Sequence, residues 1–96
     1  SVIKYYVSKN LNKNTFFSTS KNEYLVNKEF FHQPYEVIFR SFSYMIKNIG
    51  KKYYPVRGKK LDNLINDIQN NKRLKVTLGG CIVEKYNDTV IIHKEI

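Results

Sequence analysis

The chain is poor in the residues that covalent and metal chemistry require. A single cysteine, Cys81, excludes an internal disulfide. Two histidines, His32 and His93, stand far from it and from each other in sequence, which matches no metal-ligand spacing. Acidic residues number eight, and the glutamates at 23, 29, 36, 84 and 95 are too scattered to suggest a catalytic carboxylate pair. No apolar run approaches the roughly 18 residues of a membrane span. The start shows no signal-peptide pattern, so a cytoplasmic protein with no membrane partner is expected. The chain opens on Ser1 rather than Met, and the sequence is therefore read as a fragment or a processed product.

What is abundant is positive charge. Seventeen Lys and Arg face eight Asp and Glu, a net charge of +9. Nine of the cations lie between residues 47 and 75, opposed only by Asp62 and Asp67, so this window carries seven of the nine net charges. Lys, Asn, Ile and Tyr dominate the composition, and all have AT-rich codons; a generally lysine-rich solvated surface is the simpler account of any one lysine. Clustering is harder to explain that way, and the three arginines bring a planar, forked donor that Lys lacks. Arg40, Arg57 and Arg73, with Lys51, Lys52, Lys59, Lys60 and Lys75, are the candidate contacts to nucleic-acid phosphate.

With 96 residues and 42% hydrophobic residues the chain can bury one modest core. An α+β fold is expected: a small single domain, two main helices packed with short antiparallel β-hairpins. Residues 2–9 read as the tail of a helix, with a strand as the alternative, and 10–14 as a polar turn. Residues 15–19 and 23–27 read as a hairpin about Lys21-Asn22. Pro34 marks the first position of the best-defined helix. Ile38, Phe42, Met45 and Ile49 fall on one face, widened by Tyr35, Phe39 and Ile46, and Gly50 is placed for a left-handed stop. Arg40, Ser43 and Lys47 take the opposite face. Tyr53-Tyr54-Pro55 is extended; the tyrosines wedge a loop against the core or stack on bases. A second helix covers about 58–70, with Leu61, Leu64, Ile65 and Ile68 as its stripe and Arg57, Lys59 and Lys60 at its N-terminus. Beyond Arg73 the pattern turns to β: Leu74, Val76 and Leu78 alternate, Gly79-Gly80 signals a bulge or sharp bend, and Asn87-Asp88 closes a hairpin. That turn sets Lys85 opposite Val90, Val83 opposite Ile92 and Cys81 opposite Lys94. Cys81 reads first as a small core residue, and an activated thiol near His93 is the other reading. Arg57 likewise has two readings, a phosphate contact or a tie for the Pro55 loop.

The order helix, Tyr54-Pro55-Val56-Arg57, helix with Leu61 and Leu64, Thr77-Leu78-Gly79-Gly80-Cys81 and a terminal hairpin ending in Lys94-Glu95 resembles the C-terminal part of the tRNA(Ile)-lysidine synthetase family. The similarity extends over roughly residues 15–95. Val56 stands where the family often has a second proline, and Lys94 where it often has arginine. The resemblance implies a parent ligase that joins lysine to the wobble cytidine of tRNA(Ile), using ATP and magnesium. The Ser-Gly-Gly-x-Asp-Ser nucleotide loop of that family is nowhere in the chain. Residues 11–96 are then expected to be a tRNA-recognition domain without catalytic residues, metal or cofactor, and 1–10 the end of a connecting helix or linker. Its expected partners are tRNA(Ile) and the N-terminal catalytic domain of the same polypeptide. A free-standing RNA- or DNA-binding module, or a protein-interaction domain whose lysines only solvate its surface, remain as alternatives.

Overall fold

The computed structural model describes residues 1–51 and 56–96. The readings of Lys52, Tyr53, Tyr54 and Pro55 fall outside the described residues. In chain order the elements are α1 (Val2–Asn14), β1 (Thr15–Ser18), β2 (Glu23–Val26), a 3₁₀ turn (Lys28–His32), α2 (Tyr35–Gly50), α3 (Gly58–Asn70), β3 (Arg73–Leu78), β4 (Cys81–Tyr86) and β5 (Thr89–Lys94). The α+β expectation holds. No helix among the described residues is long and apolar enough to cross a membrane.

The first correction concerns α1. Residues 10–14, read as a polar turn, continue the helix to Asn14. Ser1 caps its start, its Oγ accepting from the Lys4 N–H at 3.4 Å, and Thr15 closes its end by donating its hydroxyl to the Leu11 carbonyl at 2.6 Å. The reason lies in Asn10, which is buried. Its amide donates to the Phe30 carbonyl and to Ser41 Oγ, each at 3.4 Å, and its own oxygen accepts from Asn14 Nδ2 at 2.8 Å. A side chain that looks like a turn former is spent on holding α1 against α2 and the 3₁₀ turn, and a buried amide so satisfied has no reason to break the helix.

All five strands belong to one antiparallel sheet of order β1-β2-β5-β4-β3. The expected hairpins are present, and β2 pairs with β5, Glu23 opposite His93 through Val26 opposite Val90, which fuses them. The β4–β5 register is the one the Asn87-Asp88 turn demands: Lys85 with Val90, Val83 with Ile92, Cys81 with Lys94. Of the two readings of Gly79-Gly80, the sharp bend holds and the bulge does not. Leu78 pairs directly with Cys81, and φ values of 60° and 82° make the glycines a two-residue hairpin turn with both central residues left-handed.

Strand alternation sorts the side chains. Tyr24, Val26, Cys81, Val83, Val90 and Ile92 are buried on the inner face, against Ile38, Phe42, Met45 and Ile49 of α2 and Leu61, Leu64, Ile65 and Ile68 of α3. Arg73, Lys75, Glu84, Ile91 and His93 take the other face by the same alternation. Phe30 of the 3₁₀ turn is fully buried in the core. Of the residues read as widening the α2 face, Ile46 is buried, Phe39 half-buried and Tyr35 exposed, its hydroxyl donating to Asp62 of α3.

Gly50 brings the second correction. Pro34 precedes the first turn of α2 as its N-cap, and Gly50 is the last helical residue rather than the left-handed stop. That conformation falls on Lys51, with φ 52° and ψ 38° and its N–H returning to the Lys47 carbonyl. Glycine is needed at 50 for contact instead. A Cβ there would lie 2.0 Å from the Gly79 carbonyl oxygen and 3.3 Å from Cys81 Sγ. The C-terminal end of α2 thus meets the β3–β4 turn backbone to backbone.

Candidate nucleic-acid interface

This contact positions the basic residues. Gly79 touches Gly50 on one side. On the other, a Cβ at Gly79 would fall 2.6 Å from Val56 Cγ2, so the approach to α3 also rests on this turn. Lys51 follows Gly50 and Arg57 follows Val56. Both therefore emerge at the same end of the molecule, and Lys59 and Lys60 continue from Arg57 into the first turn of α3. All four are exposed.

Arg57 is the N-cap of α3, and the first turn holds no acidic residue. Helix starts usually carry the opposite sign, since the backbone N–H groups there already present positive partial charge. Three cations at that end repel the helix dipole, by about 0.3–1 kcal/mol for an exposed charge. A bound anion would be attracted both to the helix end and to the cations and so offset these repulsions, with Arg57 able to meet a phosphate as a fork and the lysines as point charges.

The remaining predicted contacts lie elsewhere. Arg73 and Lys75 project from the outer face of β3, an edge strand. Arg73 pairs with Tyr86, at the end of the hairpin remote from Gly79, and its guanidinium carbon is 6.0 Å from the Tyr86 ring centroid. Lys75 Nζ is 3.9 Å from a Glu84 carboxylate oxygen. Between the two groups runs α3, 13 residues or about 20 Å long. Arg40, on α2, faces away from the core, about 16 Å along the helix from Lys51; its Nε donates to Glu36 Oε1 at 3.0 Å. It lines a cleft between α1, α2 and β1 together with Tyr44. The sequence reading passes over Tyr44, although its position one turn beyond Arg40 is the signal that would have drawn attention to it.

Cys81 is fully buried, with Sγ donating to the Ile46 carbonyl at 3.3 Å. Burial pushes its thiol up to about 11, against a smaller downward pull from the Gly50 backbone. His93 sits on the opposite face of the sheet, its Nε2 2.9 Å from Glu84 Oε2, so the reading of an activated thiol beside His93 is not supported by the geometry. The hydrogen bond with His93 is the main cause holding the Glu84 carboxyl below its usual range, with Lys75 adding to it. Among the described residues no three His, Cys, Asp or Glu side chains group as metal ligands.

No protein-family model matches the chain, and no solved structure matches it significantly. Two curated proteins do. The tRNA(Ile)-lysidine synthase of Wolbachia pipientis wMel is 34% identical over 68 residues, and that of Wolbachia sp. subsp. Brugia malayi (strain TRS) is 32% identical over 68 residues. Each match takes in 70% of this chain and 16% of the relative. The chain thus contains a domain related to a short segment of tRNA(Ile)-lysidine synthases, and it spans about a sixth of the length of the curated relatives it matches.

Proposed function

We propose that the chain is the C-terminal tRNA-recognition domain of a tRNA(Ile)-lysidine synthase, which grips the body or acceptor arm of tRNA(Ile) while the rest of the polypeptide performs the ligation. The observation that carries this reading is the similarity over 70% of the chain. The exposed cations about the start of α3 support it, because they are what a phosphate backbone would need. On this reading residues 11–96 hold most of the binding surface and the first ten residues lead toward the catalytic part. ATP and magnesium are left to that part, and the chain works in the cytoplasm, where tRNA is modified.

The test is equilibrium binding of tRNA(Ile) across a salt series. Contact with about five phosphates gives a slope of log affinity against log salt of roughly −3.5 to −4.5. Replacing Arg57, Lys59 and Lys60 together by Ala should weaken binding and flatten the slope, with the melting temperature nearly unchanged. The single variants separate the two roles of Arg57. If Arg57→Ala alone lowers stability markedly while Lys59→Ala and Lys60→Ala leave affinity untouched, the cations at α3 are not the tRNA contact.

A further inference from the structure

Between α1, α2 and β1 lies an open cleft of about 620 Å³, within the size range of about 300–1,000 Å³ usual for small-ligand sites. Its floor is apolar and fixed. The Phe17 and Tyr24 rings pack with centroids 4.8 Å apart, and Asn48 Nδ2 donates to the Tyr24 hydroxyl at 2.8 Å. Its rim is of another character. Lys4 and Ser8 stand one turn apart on α1, and Arg40 and Tyr44 one turn apart on α2. Tyr44 is 54% exposed, which leaves ring surface open to a ligand. None of the lining residues is acidic. Glu36 engages Arg40 through Nε, and the Nη groups remain for an oxygen-bearing partner.

We propose that this cleft receives a single unstacked nucleotide of the bound RNA, its base against the ring of Tyr44 and its phosphate at Lys4 and Arg40. The inference rests on the RNA-binding reading above but concerns a separate site from the start of α3. An exposed ring flanked by cations serves single-stranded nucleic acid, because any base offers a face to stack on once it has left its helix. A duplex keeps its bases stacked and cannot place one in a concave site. Ser8 adds a hydroxyl that can both donate to and accept from a base edge.

The experiment follows backbone amide resonances of the ¹⁵N-labelled chain during titration with single-stranded RNA of about four nucleotides, the short end of single-strand sites. Parallel titrations use an RNA duplex, a mononucleotide and a short acidic peptide. The single strand should perturb the Lys4–Ser8 turn, Arg40 and Tyr44, and the duplex should not. Tyr44→Ala should weaken single-strand binding about tenfold, the effect of losing one stacked base. Tyr44→Phe should restore it, and both variants should melt as the wild type does. Arg40→Ala should reduce affinity and the salt dependence together. The mononucleotide should perturb the same residues; equal binding of the acidic peptide there would overturn the proposal, as would Tyr44→Ala binding like the wild type. Retained tRNA binding without any change at the cleft overturns the cleft alone; loss of all RNA binding overturns this inference and the proposed function together.

Discussion

Gly50→Ala puts the contact between α2 and the β3–β4 turn to a quantitative test. Inside a helix this substitution ordinarily stabilises, by about 0.5–1 kcal/mol. Here the new methyl would lie 2.0 Å from the Gly79 carbonyl oxygen, where contacts under 3.0 Å force a displacement. Both partners are backbone, so no side chain can swing aside. The end of α2 must move by an ångström or more, loosening Ile46, Ile49 and Cys81, all buried. Overpacking of this kind costs about 1–3 kcal/mol, and the rigid partner argues for the upper end. The net expectation is a loss of about 2 kcal/mol, or about 8–16 °C in melting temperature for a domain of this size. Thermal and urea unfolding followed by far-ultraviolet circular dichroism measure it. A Gly50→Ala variant as stable as the wild type, or more so, would refute the argument. Since a left-handed stop at Gly50 would also be damaged by Ala, Lys51→Gly serves as the discriminating partner. Lys51 bears the left-handed strain, with φ 52°, which costs a non-glycine residue about 1–2 kcal/mol. Its relief roughly offsets or exceeds the added backbone entropy of glycine in the unfolded chain, about 0.4–1 kcal/mol. Lys51→Gly should therefore be neutral or stabilising, and a clear loss would return the stop to Gly50.

Three further outcomes are expected. Lys85, half-buried on β4, donates its ammonium to the Ile68 carbonyl in the last turn of α3, where a cation also suits the helix dipole. Lys85→Met, which keeps the apolar stem, should lower stability by about 1–2 kcal/mol in urea unfolding; no change would mean the carbonyl is equally well served by water. Glu84 is depressed from its ordinary 4.5 chiefly by the hydrogen bond with His93. Its stabilising contribution is therefore complete above the unfolded value and is lost as pH falls through the lower folded value. Glu84→Gln should be less stable than the wild type at pH 6, and the gap should close on acidification below about pH 4.5; a gap independent of pH would sink the account. Cys81, raised to about 11 and fully buried, should resist a thiol-specific reagent at pH 8 in the native chain and react at the rate of unfolding. Rapid labelling of the native chain would show that α2 and the sheet separate more readily than their packing allows.

Local pattern was enough for much of this fold. The face Ile38, Phe42, Met45, Ile49 and the stripe Leu61, Leu64, Ile65, Ile68 are legible because helical period and burial coincide wherever a helix lies on a single core. The β4–β5 register is legible because a two-residue turn at Asn87-Asp88 leaves only one alignment that puts Val83, Val90 and Ile92 on one face. Both signals span few residues and need no partner from far along the chain. The rest depended on distant partners. Asn10 is helical because Phe30 and Ser41 satisfy its amide from 20 and 31 residues away, whereas in isolation asparagine favours turns. Gly50 looks like a helix stop until the Gly79 carbonyl is placed against it. The union of the hairpins is a pairing of Glu23–Val26 with residues 90–93 that no short window contains. The same holds for function. The basic window is continuous in sequence, but only the tertiary fold gathers Lys51, Arg57, Lys59 and Lys60 about the Gly79 turn. It sends Arg73 and Lys75 to the outer face of the sheet, and it turns Arg40 toward α1, because charge on a surface helix or strand follows whichever face the core leaves to water.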